Sequence, residues 1–275
     1  MDEALRAKWD ALQRWLGGFA RPLVAFSGGV DSALLAFAAR QAHGDQMLAV
    51  TVKSPLHTSQ EIQRATAFAV AYGIPQRLIE LNEMEREDFT HNAADRCYQC
   101  KALRFTEIVK LAASEGFDVV LEGSNADDAF DYRPGARAAK ELDVRSPLAE
   151  LNFTKAEIRA AAQTFNLPVW NLPSSPCLAT RFAYGFPITP EGLIRVEKAE
   201  SFLRELGLDN LRARVLNQQS LKIETAPDQF LTVLQKREQI LAYFDSLGFA
   251  NVSLDLKGYR RGSMNEDFDD QNCLP

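Results

Sequence analysis

The sequence has little of what marks a membrane protein, a secreted protein or a histidine-dependent enzyme. No apolar run reaches membrane-span length, and residues 1–3 lack the positive charge that opens a signal peptide. The three histidines, His43, His57 and His91, show neither triad spacing nor metal-ligand spacing. We therefore expect a cytoplasmic protein that has no contact with membranes, and we expect its histidines to be solvated.

Positive charge is also scarce. The chain has 31 Lys and Arg residues against 37 Asp and Glu residues, which gives a net charge of -6. Broad nucleic-acid surfaces are basic, so nucleic acid is not expected as a partner, and a local basic groove is the remaining option. The length of 275 residues suits one large domain or two smaller ones.

Cysteine is infrequent, and its positions matter more than its number. Four cysteines in a reducing compartment favour thiol or metal chemistry over disulfides. Cys97 and Cys100 form a Cys-x-x-Cys motif on one helical face, which suits a redox pair, half a zinc site, two cluster ligands or two structural thiols. Cys177 lies in a loop rich in Pro and Ser, where a buried, inert cysteine is not expected. Cys273 is interpreted as a bystander.

The most informative stretch is Ser-Gly-Gly-Val-Asp-Ser at residues 27–32. It follows an apolar run at 22–26, which is typical of a buried parallel strand, and precedes a helix-forming stretch at 33–42. A strand that breaks at two glycines and opens a helix places unpaired N–H groups where an anion binds. The pattern is neither the Walker loop nor the dinucleotide fingerprint.

Five of the six residues of this string have a predicted role in binding a phosphate chain. Gly28 and Gly29 let the backbone approach phosphate closely, and Ser27 and Ser32 add hydroxyl donors. Asp31 would repel phosphate on its own, but it fits the string if it holds Mg²⁺. A glycine turn with an acid at a helix N-terminus is the alternative.

Strands alternate with helices through the first part of the chain, which predicts an α/β fold with a doubly wound parallel sheet. Ligands of such sheets lie beyond the carboxyl ends of the strands. The predicted strands are 22–26, 47–52, 77–81 and 118–122, and the predicted helices are 2–16, 33–42, 58–72, 100–114 and 154–165. Residues 125–146 are expected to be less regular, with a compact turn at 131–135.

The pattern changes near residue 187, where a smaller α+β domain is expected to begin. It comprises a helix at 190–206, strands at 211–216 and 220–225, a helix at 228–246 and a strand at 251–257. We therefore predict two domains, 1–186 and 187–275, and assign the second a role in oligomerisation or substrate binding.

Several cationic side chains are candidates for binding carboxylate or phosphate. Arg181 follows Cys177 by four residues in the same loop, and its planar fork suits such anions. Arg212 and Arg214 share one face of a strand, for which a solvated polar face is the alternative. Lys101 is assigned to cofactor binding, with a solvated surface charge as the alternative.

Three strings together resemble the LarE family of ATP-dependent sulfur transferases. They are the string at 27–32, Asp-Tyr-Arg-Pro-Gly at 131–135, and Cys-x-x-x-Arg-Phe-x-Tyr-Gly at 177–185. The first string identifies only the N-type ATP pyrophosphatase superfamily, whose loop is called the PP-loop, and the other two are more specific. The resemblance covers nearly the whole chain and implies an adenine nucleotide alpha hydrolase-like fold for the first domain.

The resemblance implies a reaction on the carboxylates of pyridinium-3,5-biscarboxylic acid mononucleotide. ATP with Mg²⁺ would adenylate a carboxylate at residues 27–32, pyrophosphate would leave, and sulfur would displace AMP to give a thiocarboxylate. The product belongs to the synthesis of the nickel-pincer nucleotide, the cofactor of lactate racemase. Arg181, Arg212 and Arg214 match positions where the family handles phosphate and substrate. On this basis Cys177, Asp31 and Arg181 are assigned to catalysis, and Arg212 and Arg214 to cofactor binding. The family also implies a homo-oligomer.

The cysteines indicate which branch of the family the chain resembles. One branch has a single cysteine, equivalent to Cys177, which gives up its own sulfur once. The other branch has three, here Cys97, Cys100 and Cys177, and is thought to hold a [4Fe-4S] cluster whose open iron carries sulfide. The three-cysteine pattern favours the cluster route, with sulfide or another sulfur donor as a partner.

Two other functions compete with this interpretation. A PP-loop tRNA thiolase also combines such a loop with three cysteines, but the net charge and the lack of zinc-ribbon cysteine pairs argue against it. A regulator that only binds adenine nucleotides would need neither Cys177 nor Asp31.

Overall fold

Seven strands and eleven α-helices cover most of the chain in a computed structural model that describes residues 1–130, 134–173 and 176–260. The strands are β1 (Pro22–Ala25), β2 (Leu48–Lys53), β3 (Gln76–Glu80), β4 (Val119–Leu121), β5 (Arg212–Asn217), β6 (Ser220–Glu224) and β7 (Asn251–Leu254). The helices are α1 (Glu3–Leu16), α2 (Val30–His43), α3 (Ser59–Ala71), α4 (Glu87–Thr90), α5 (Arg96–Glu115), α6 (Pro134–Glu141), α7 (Pro147–Glu150), α8 (Lys155–Thr164), α9 (Pro190–Glu205), α10 (Phe230–Gln235) and α11 (Arg237–Ser246).

These elements fall into two compact units. The first comprises the described residues of Met1–Glu83 and Asp95–Ser175, and the second comprises those of Met84–Ala94 and Pro176–Pro275. Compact units do not by themselves establish independently folding domains. The division into 1–186 and 187–275 therefore stays a prediction.

The first unit is built on a parallel sheet with the strand order β3-β2-β1-β4. The chain runs from β1 outward through β2 to β3 and then returns to place β4 on the other side of β1. This reversal makes the carboxyl end of β1 a topological switch point, where α/β sheets bind their ligands. The predicted α/β fold with a doubly wound parallel sheet is confirmed.

Alternation along the strands supplies a separate core on each face of this sheet. In β1, Leu23 packs into one apolar cluster with α5 and α6, while Val24 packs into the other with α1, α2 and α8. Burying an aliphatic side chain of this kind contributes about 1.5–3 kcal/mol. Helix α1 contributes an apolar stripe to the second cluster, and the four members of the stripe are buried: Leu5, Trp9, Leu12 and Leu16.

The stretch at 125–146, which is expected to be less regular, has only short helical elements among its described residues before α7. It contains a 3-10 turn, Ala126–Phe130, and the eight-residue helix α6. Proline is well suited to the first position of a helix, because its missing N–H is not needed there. Helix α5 also begins earlier than predicted, at Arg96, so that both cysteines of the Cys-x-x-Cys motif lie in its first turns.

The second unit carries its own sheet of β5, β6 and β7. β5 pairs with β6 in antiparallel fashion, and β6 pairs with β7 in parallel fashion. Helix α9 begins where Thr189 accepts a hydrogen bond from the Gly192 N–H at 3.0 Å. The single helix predicted at 228–246 is instead a 3-10 turn followed by α10 and α11, which are separated at Lys236, where ψ is 7°.

Some expectations fall on residues that lie outside the description. These are residues 131–133 of the Asp-Tyr-Arg-Pro-Gly turn and the C-terminal stretch that contains Cys273. Across the residues that the structure does describe, no helix combines the length and the apolarity that crossing a membrane requires.

Candidate functional site

The string at residues 27–32, called the glycine loop below, joins β1 to α2 in a conformation that requires glycine. Gly28 has a φ of +76°, and a Cβ added there would lie 2.9 Å from the Ala65 Cβ of α3. Gly29 is the N-cap of α2 and is extended, and no side chain caps the helix. The first N–H groups of α2 therefore keep their capacity to bind an anion.

The hydroxyls of Ser27 and Ser32 in the glycine loop lie within hydrogen-bond distance of each other. Ser32 Oγ accepts a hydrogen bond from the Ser27 N–H at 3.2 Å, lies 3.1 Å from Ser27 Oγ and donates to the Gly29 carbonyl at 3.1 Å. Ser32 is buried. In this structure it fixes the shape of the loop, while Ser27 occupies the loop's first position, on the cavity wall.

The end of β4 closes against the start of α2. Gly123, two residues beyond β4, approaches so closely that a Cβ there would lie 2.9 Å from the Ser32 nitrogen. Any larger residue would therefore push the strand end away from the glycine loop. The loop is held from two sides, by α3 at Gly28 and by the β4 end at Ser32.

A cavity of about 260 Å³ opens at this end of the sheet. One part of its lining is apolar and comes from the strand ends and from α5, with Val50, Phe105 and Ile108 among its members. The other part is polar and includes the glycine loop. An apolar slot beside an anion-binding loop suits a ligand with a flat base and a phosphate chain.

Asp31 borders the cavity as an ion-pair partner of a lysine that the sequence did not single out. Its carboxylate accepts from Lys155 Nζ at 2.5 Å and from Asn125 Nδ2 at 3.4 Å. Asp127 and Asp128 accept backbone N–H bonds from Lys155 and Asn125 respectively. Lys155 is the first residue of α8 and follows its N-cap, Thr154, and nothing in the local sequence indicates that it reaches Asp31.

Lys101 also lines the cavity, where it faces a carboxylate. Its Nζ lies 3.4 Å from Glu122 Oε2, and Ser146 donates to Glu122 Oε1 at 2.5 Å. Burial by itself would raise the pKa of Glu122, but the Lys101 charge and the hydroxyls of Ser124 and Ser146 outweigh it and lower that pKa. Glu122 therefore stays ionised beside the ammonium group.

The expectation that His57 is solvated is wrong. The ring lines the cavity, its Nε2 lies 3.1 Å from Arg104 Nη1, and Arg104 Nε donates to the fully buried Glu83 at 2.7 Å. Burial and the Arg104 charge lower the pKa of His57 to about 4, although Glu61 and Glu83 act in the opposite direction. His57 is therefore neutral near pH 7, and this polar group is one that sequence reasoning missed.

In the second unit, Arg181 is a buried anchor for the loop that carries Cys177. Its Nε and Nη2 donate to the two carboxylate oxygens of Glu200 at 2.8 and 2.9 Å. Its Nη1 donates to the carbonyls of Pro176 and Cys177 at 2.5 and 3.1 Å. Burial by itself would raise the pKa of Glu200, but the Arg181 charge outweighs it and lowers that pKa.

Arg214 and Arg212 are both buried, so the alternative of a solvated polar face is wrong. Arg214 donates to Glu224 at 2.9 Å and to the Thr180 carbonyl at 2.7 Å. Arg212 donates to the Leu211 carbonyl at 2.6 Å, and its guanidinium lies 4.7 Å from the centre of the Tyr259 ring. The sequence offered no reason to group Glu200 with Glu224, and the structure gives each of them a buried arginine.

The three described cysteines carry reduced thiols. Cys97, which is exposed, and Cys100 belong to the first unit, and Cys177, which is half-buried, belongs to the second. The Sγ atom of Cys100 lies 3.7 Å from Glu83 Oε1. Among the described residues, no group of three or more His, Cys, Asp or Glu side chains is arranged to hold a metal ion. The roles assigned to these cysteines and to the arginines stay predictions.

Comparison with known proteins relates the whole chain to enzymes that use ATP. The family model described as asparagine synthase matches residues 10–229. The chain is 41% identical to an uncharacterized protein of Synechocystis sp., over 95% of this chain and 98% of the relative. It is 34% identical to the pyridinium-3,5-bisthiocarboxylic acid mononucleotide synthase of Lactiplantibacillus plantarum, over 95% of each chain. It is 30% identical to an uncharacterized protein of Methanocaldococcus jannaschii, over 86% of this chain and 90% of the relative.

The buried Arg181–Glu200 pair provides a test of the second unit. Replacing Glu200 with Gln leaves the Arg181 guanidinium buried without its counter-charge, which we expect to cost about 3–5 kcal/mol in the free energy of unfolding. Arg204, whose side chain is 40% exposed, binds the same carboxylate at 2.9 Å. Replacing Arg204 with Gln is the matched control and should cost less than about 1 kcal/mol. Urea titrations measure both, and equal losses would contradict the analysis.

The lowered pKa of His57 predicts a pH-dependent stability. In the unfolded chain His57 takes up a proton near pH 6.5, whereas in the folded chain it stays neutral until about pH 4. The contribution of His57 to the free energy of unfolding is therefore fully present above pH 6.5 and is lost as the pH falls toward 4. Between about pH 7 and pH 5 this loss should be about 2 kcal/mol. The His57→Gln variant should remove that slope, whereas replacement of the exposed His91 with Gln should retain it. Unfolding titrations at both pH values test this, and an unchanged slope in His57→Gln would refute it.

Proposed function

This chain belongs to the LarE family of ATP-dependent sulfur transferases, and we propose that it converts the carboxylates of pyridinium-3,5-biscarboxylic acid mononucleotide to thiocarboxylates. The observation that carries the proposal is the glycine loop, which opens α2 uncapped at the switch point of the sheet. The named synthase that is 34% identical over 95% of the chain supports the choice of substrate. The product would serve nickel-pincer nucleotide synthesis.

ATP would occupy the cavity of the first unit. The apolar slot between Val50 and Phe105 suits the adenine ring, and residues 27–32 suit the phosphates because the N–H groups of α2 and the glycine backbone are exposed to them. Substrate carboxylate oxygen would attack the α-phosphorus while the bond to the β-phosphate breaks. The products of this step are an acyl adenylate and pyrophosphate.

The donor atoms around the glycine loop fit Mg²⁺. The carboxylates of Asp31 and Asp128 both line the cavity, and carboxylate oxygens are the ligands that this ion prefers. Asp31 would hold the ion, which would neutralise charge on the phosphates. Lys155 neutralises Asp31 in this structure, and its ammonium would then be available to a phosphate oxygen.

Lys101 would hold an anionic group of the substrate or nucleotide at the other side of the cavity. Its Nζ lies 3.4 Å from Glu122, which also lines the cavity and orients the lysine. Because Glu122 is buried and itself hydrogen-bonded by Ser146, the lysine has a fixed counter-charge behind it. The assignment of Lys101 to cofactor binding rests on this placement.

Sulfur would enter at Cys177. Three donors, the Thr180 N–H and hydroxyl and the Arg181 guanidinium, hold the Cys177 carbonyl, so the backbone of this half-buried thiol is fixed. A sulfur nucleophile would attack the acyl carbon, AMP would leave with the bonding electrons, and a thiocarboxylate would remain. Arg181 acts in this scheme by positioning the Cys177 loop.

The donor set of Cys97, Cys100 and Cys177 fits a [4Fe-4S] cluster by its chemistry, because all three are reduced thiols and two share one helical turn. Such a cluster, when bound, would supply the sulfide that replaces AMP, and sulfide or another sulfur donor would replenish it. Transfer of the sulfur of Cys177 itself is the alternative.

The second unit would recognise the phosphate of the mononucleotide. Around Glu200, Glu224 and Asp255 stand five cationic side chains, so positive charge is in excess. They are Arg181, Arg204, Arg212, Arg214 and Lys222. Arg212 and Arg214 are the members of this group that we assign to the substrate. We also propose a cytoplasmic homo-oligomer, as in the family.

Asp31→Asn tests the adenylation step. The amide keeps the shape of the side chain but loses the charge that would hold Mg²⁺, so pyrophosphate release that depends on substrate should fall by at least about 100-fold. Asp10→Asn, at an exposed position of α1, is the control and should retain full activity. A pyrophosphate assay with ATP and the pyridinium mononucleotide measures both, and full activity of Asp31→Asn would contradict the proposal.

Counting iron and acid-labile sulfide after anaerobic purification tests the sulfur source. We expect about four of each per chain, with a loss of most of both in Cys97→Ala and no change in Cys273→Ala. Little iron even after reconstitution, together with loss of the mass of hydrogen sulfide from Cys177 after one turnover, would replace the cluster route by the sacrificial one. Either result leaves the adenylation test unaffected.

A further inference from the structure

A second cavity, of about 380 Å³, lies within the second unit and has no part in the reaction proposed above. It is bordered by the start of α9, by β5 and by the segments that precede α9 and β7. Its volume is in the range of sites for small organic molecules. The residues on which the argument rests are Phe182, Phe186, Val215, Phe249, Arg195 and Glu191.

One part of the wall of this cavity is aromatic and apolar, and the rest is polar. Phe182 and Phe249 are each 1% exposed, and Phe186 is half-buried, so three aromatic rings border the space. Val215 of β5 adds a buried aliphatic wall. Aromatic rings favour a planar partner, which gains both buried area and stacking or edge contacts.

Arg195 gives the cavity one cationic group that no carboxylate compensates. Its guanidinium lies 3.8 Å from the centre of the Phe249 ring, and its Nη2 donates to the Gln218 carbonyl at 3.0 Å. Its Nε is buried and has no hydrogen-bond partner, and within the described part of the chain no carboxylate lies within ion-pair distance of it. Burial lowers the pKa of Arg195, as expected where a charge lacks a counter-charge.

Arg195 differs from two other arginines of the same unit, because these two have carboxylate partners. Arg181 and Arg214 are buried, and each donates to a carboxylate at 2.9 Å or less. Glu191 borders the cavity with Arg195, but it is exposed on the first turn of α9 and does not pair with it. The second unit therefore gives Arg181 and Arg214 each a carboxylate, whereas the half-buried Arg195 has none among the described residues and keeps its Nη1 edge for an external anion.

We infer that this cavity binds a small planar ring that carries a carboxylate, with the ring among the phenylalanines and the carboxylate on Arg195. A guanidinium presents parallel N–H donors that match the two oxygens of a carboxylate. A bare inorganic anion would leave the apolar walls unfilled, and a neutral ring would leave Arg195 without a counter-charge. The site differs from the reaction site, and the inference does not depend on the proposed function.

Fluorine NMR of para-fluorobenzoate with the full chain tests this inference. We expect saturable line broadening of para-fluorobenzoate. Para-fluorobenzamide should bind at least about tenfold more weakly, and inorganic phosphate, followed by displacement of the fluorinated probe, should also bind at least about tenfold more weakly. Arg195→Gln should weaken binding of the carboxylate by at least about tenfold, whereas Lys198→Gln, at an exposed position of the same helix, should not change it. Arg195→Lys keeps the charge without the fork and should give an intermediate affinity, which preserves the test if Arg195→Gln does not fold.

Two variants of the reaction site show where the probe binds. Asp31→Asn and Cys177→Ala should bind para-fluorobenzoate as the wild type does. Unchanged binding in folded Arg195→Gln, equal binding of the benzamide, or loss of binding in the reaction-site variants would each overturn the inference. None of these results depends on whether the chain transfers sulfur.

Discussion

The first unit depends on the close approach of three backbone segments around the glycine loop. Gly28, at a φ of +76°, lies against Ala65, and Gly123 lies against the nitrogen of Ser32, each without room for a Cβ. Since no side chains separate these segments, α3, the segment after β4 and the start of α2 hold the glycine loop by close contacts. A phosphate chain can then meet N–H groups directly, which a loop padded by side chains would prevent.

Electrostatic balance organises the lining of that cavity. Asp31 and Glu122 of the lining face Lys155 and Lys101, and Arg104 of the lining faces Glu83, so each of these three carboxylates has a cation at hydrogen-bond distance. Such pairs offset the cost of placing charge away from water. Because the charged side chains are already paired, an anion that enters the cavity would replace a carboxylate as the partner of a cation, and a metal ion would replace a cation as the partner of a carboxylate.

Buried ion pairs have a second use in the other unit, where they fix backbone. Arg181 binds Glu200 with one edge and the carbonyls of Pro176 and Cys177 with its remaining donors. Arg214 likewise donates hydrogen bonds to a carboxylate, that of Glu224, and to a backbone carbonyl, that of Thr180. Because arginine has five N–H donors in a rigid fork, a single side chain can satisfy a carboxylate and hold a loop. The backbone of Cys177 is thereby coupled to the core of the unit.

The sequence by itself determined the features that depend on neighbours along the chain. The apolar periods, the capping boxes at Thr58 and Thr154, and the glycine loop act within a few residues, so the parallel sheet and its anion-binding end were predictable. The tertiary structure alone decided the partners that lie far apart in the chain. Lys155 is 124 residues from Asp31, and no local pattern connects them. The same holds for the position of His57 beside Arg104 and for the pairing of Glu200 and Glu224 with arginines. These partners meet only when the chain folds, and the spacing of the residues in the sequence does not indicate which of them will meet.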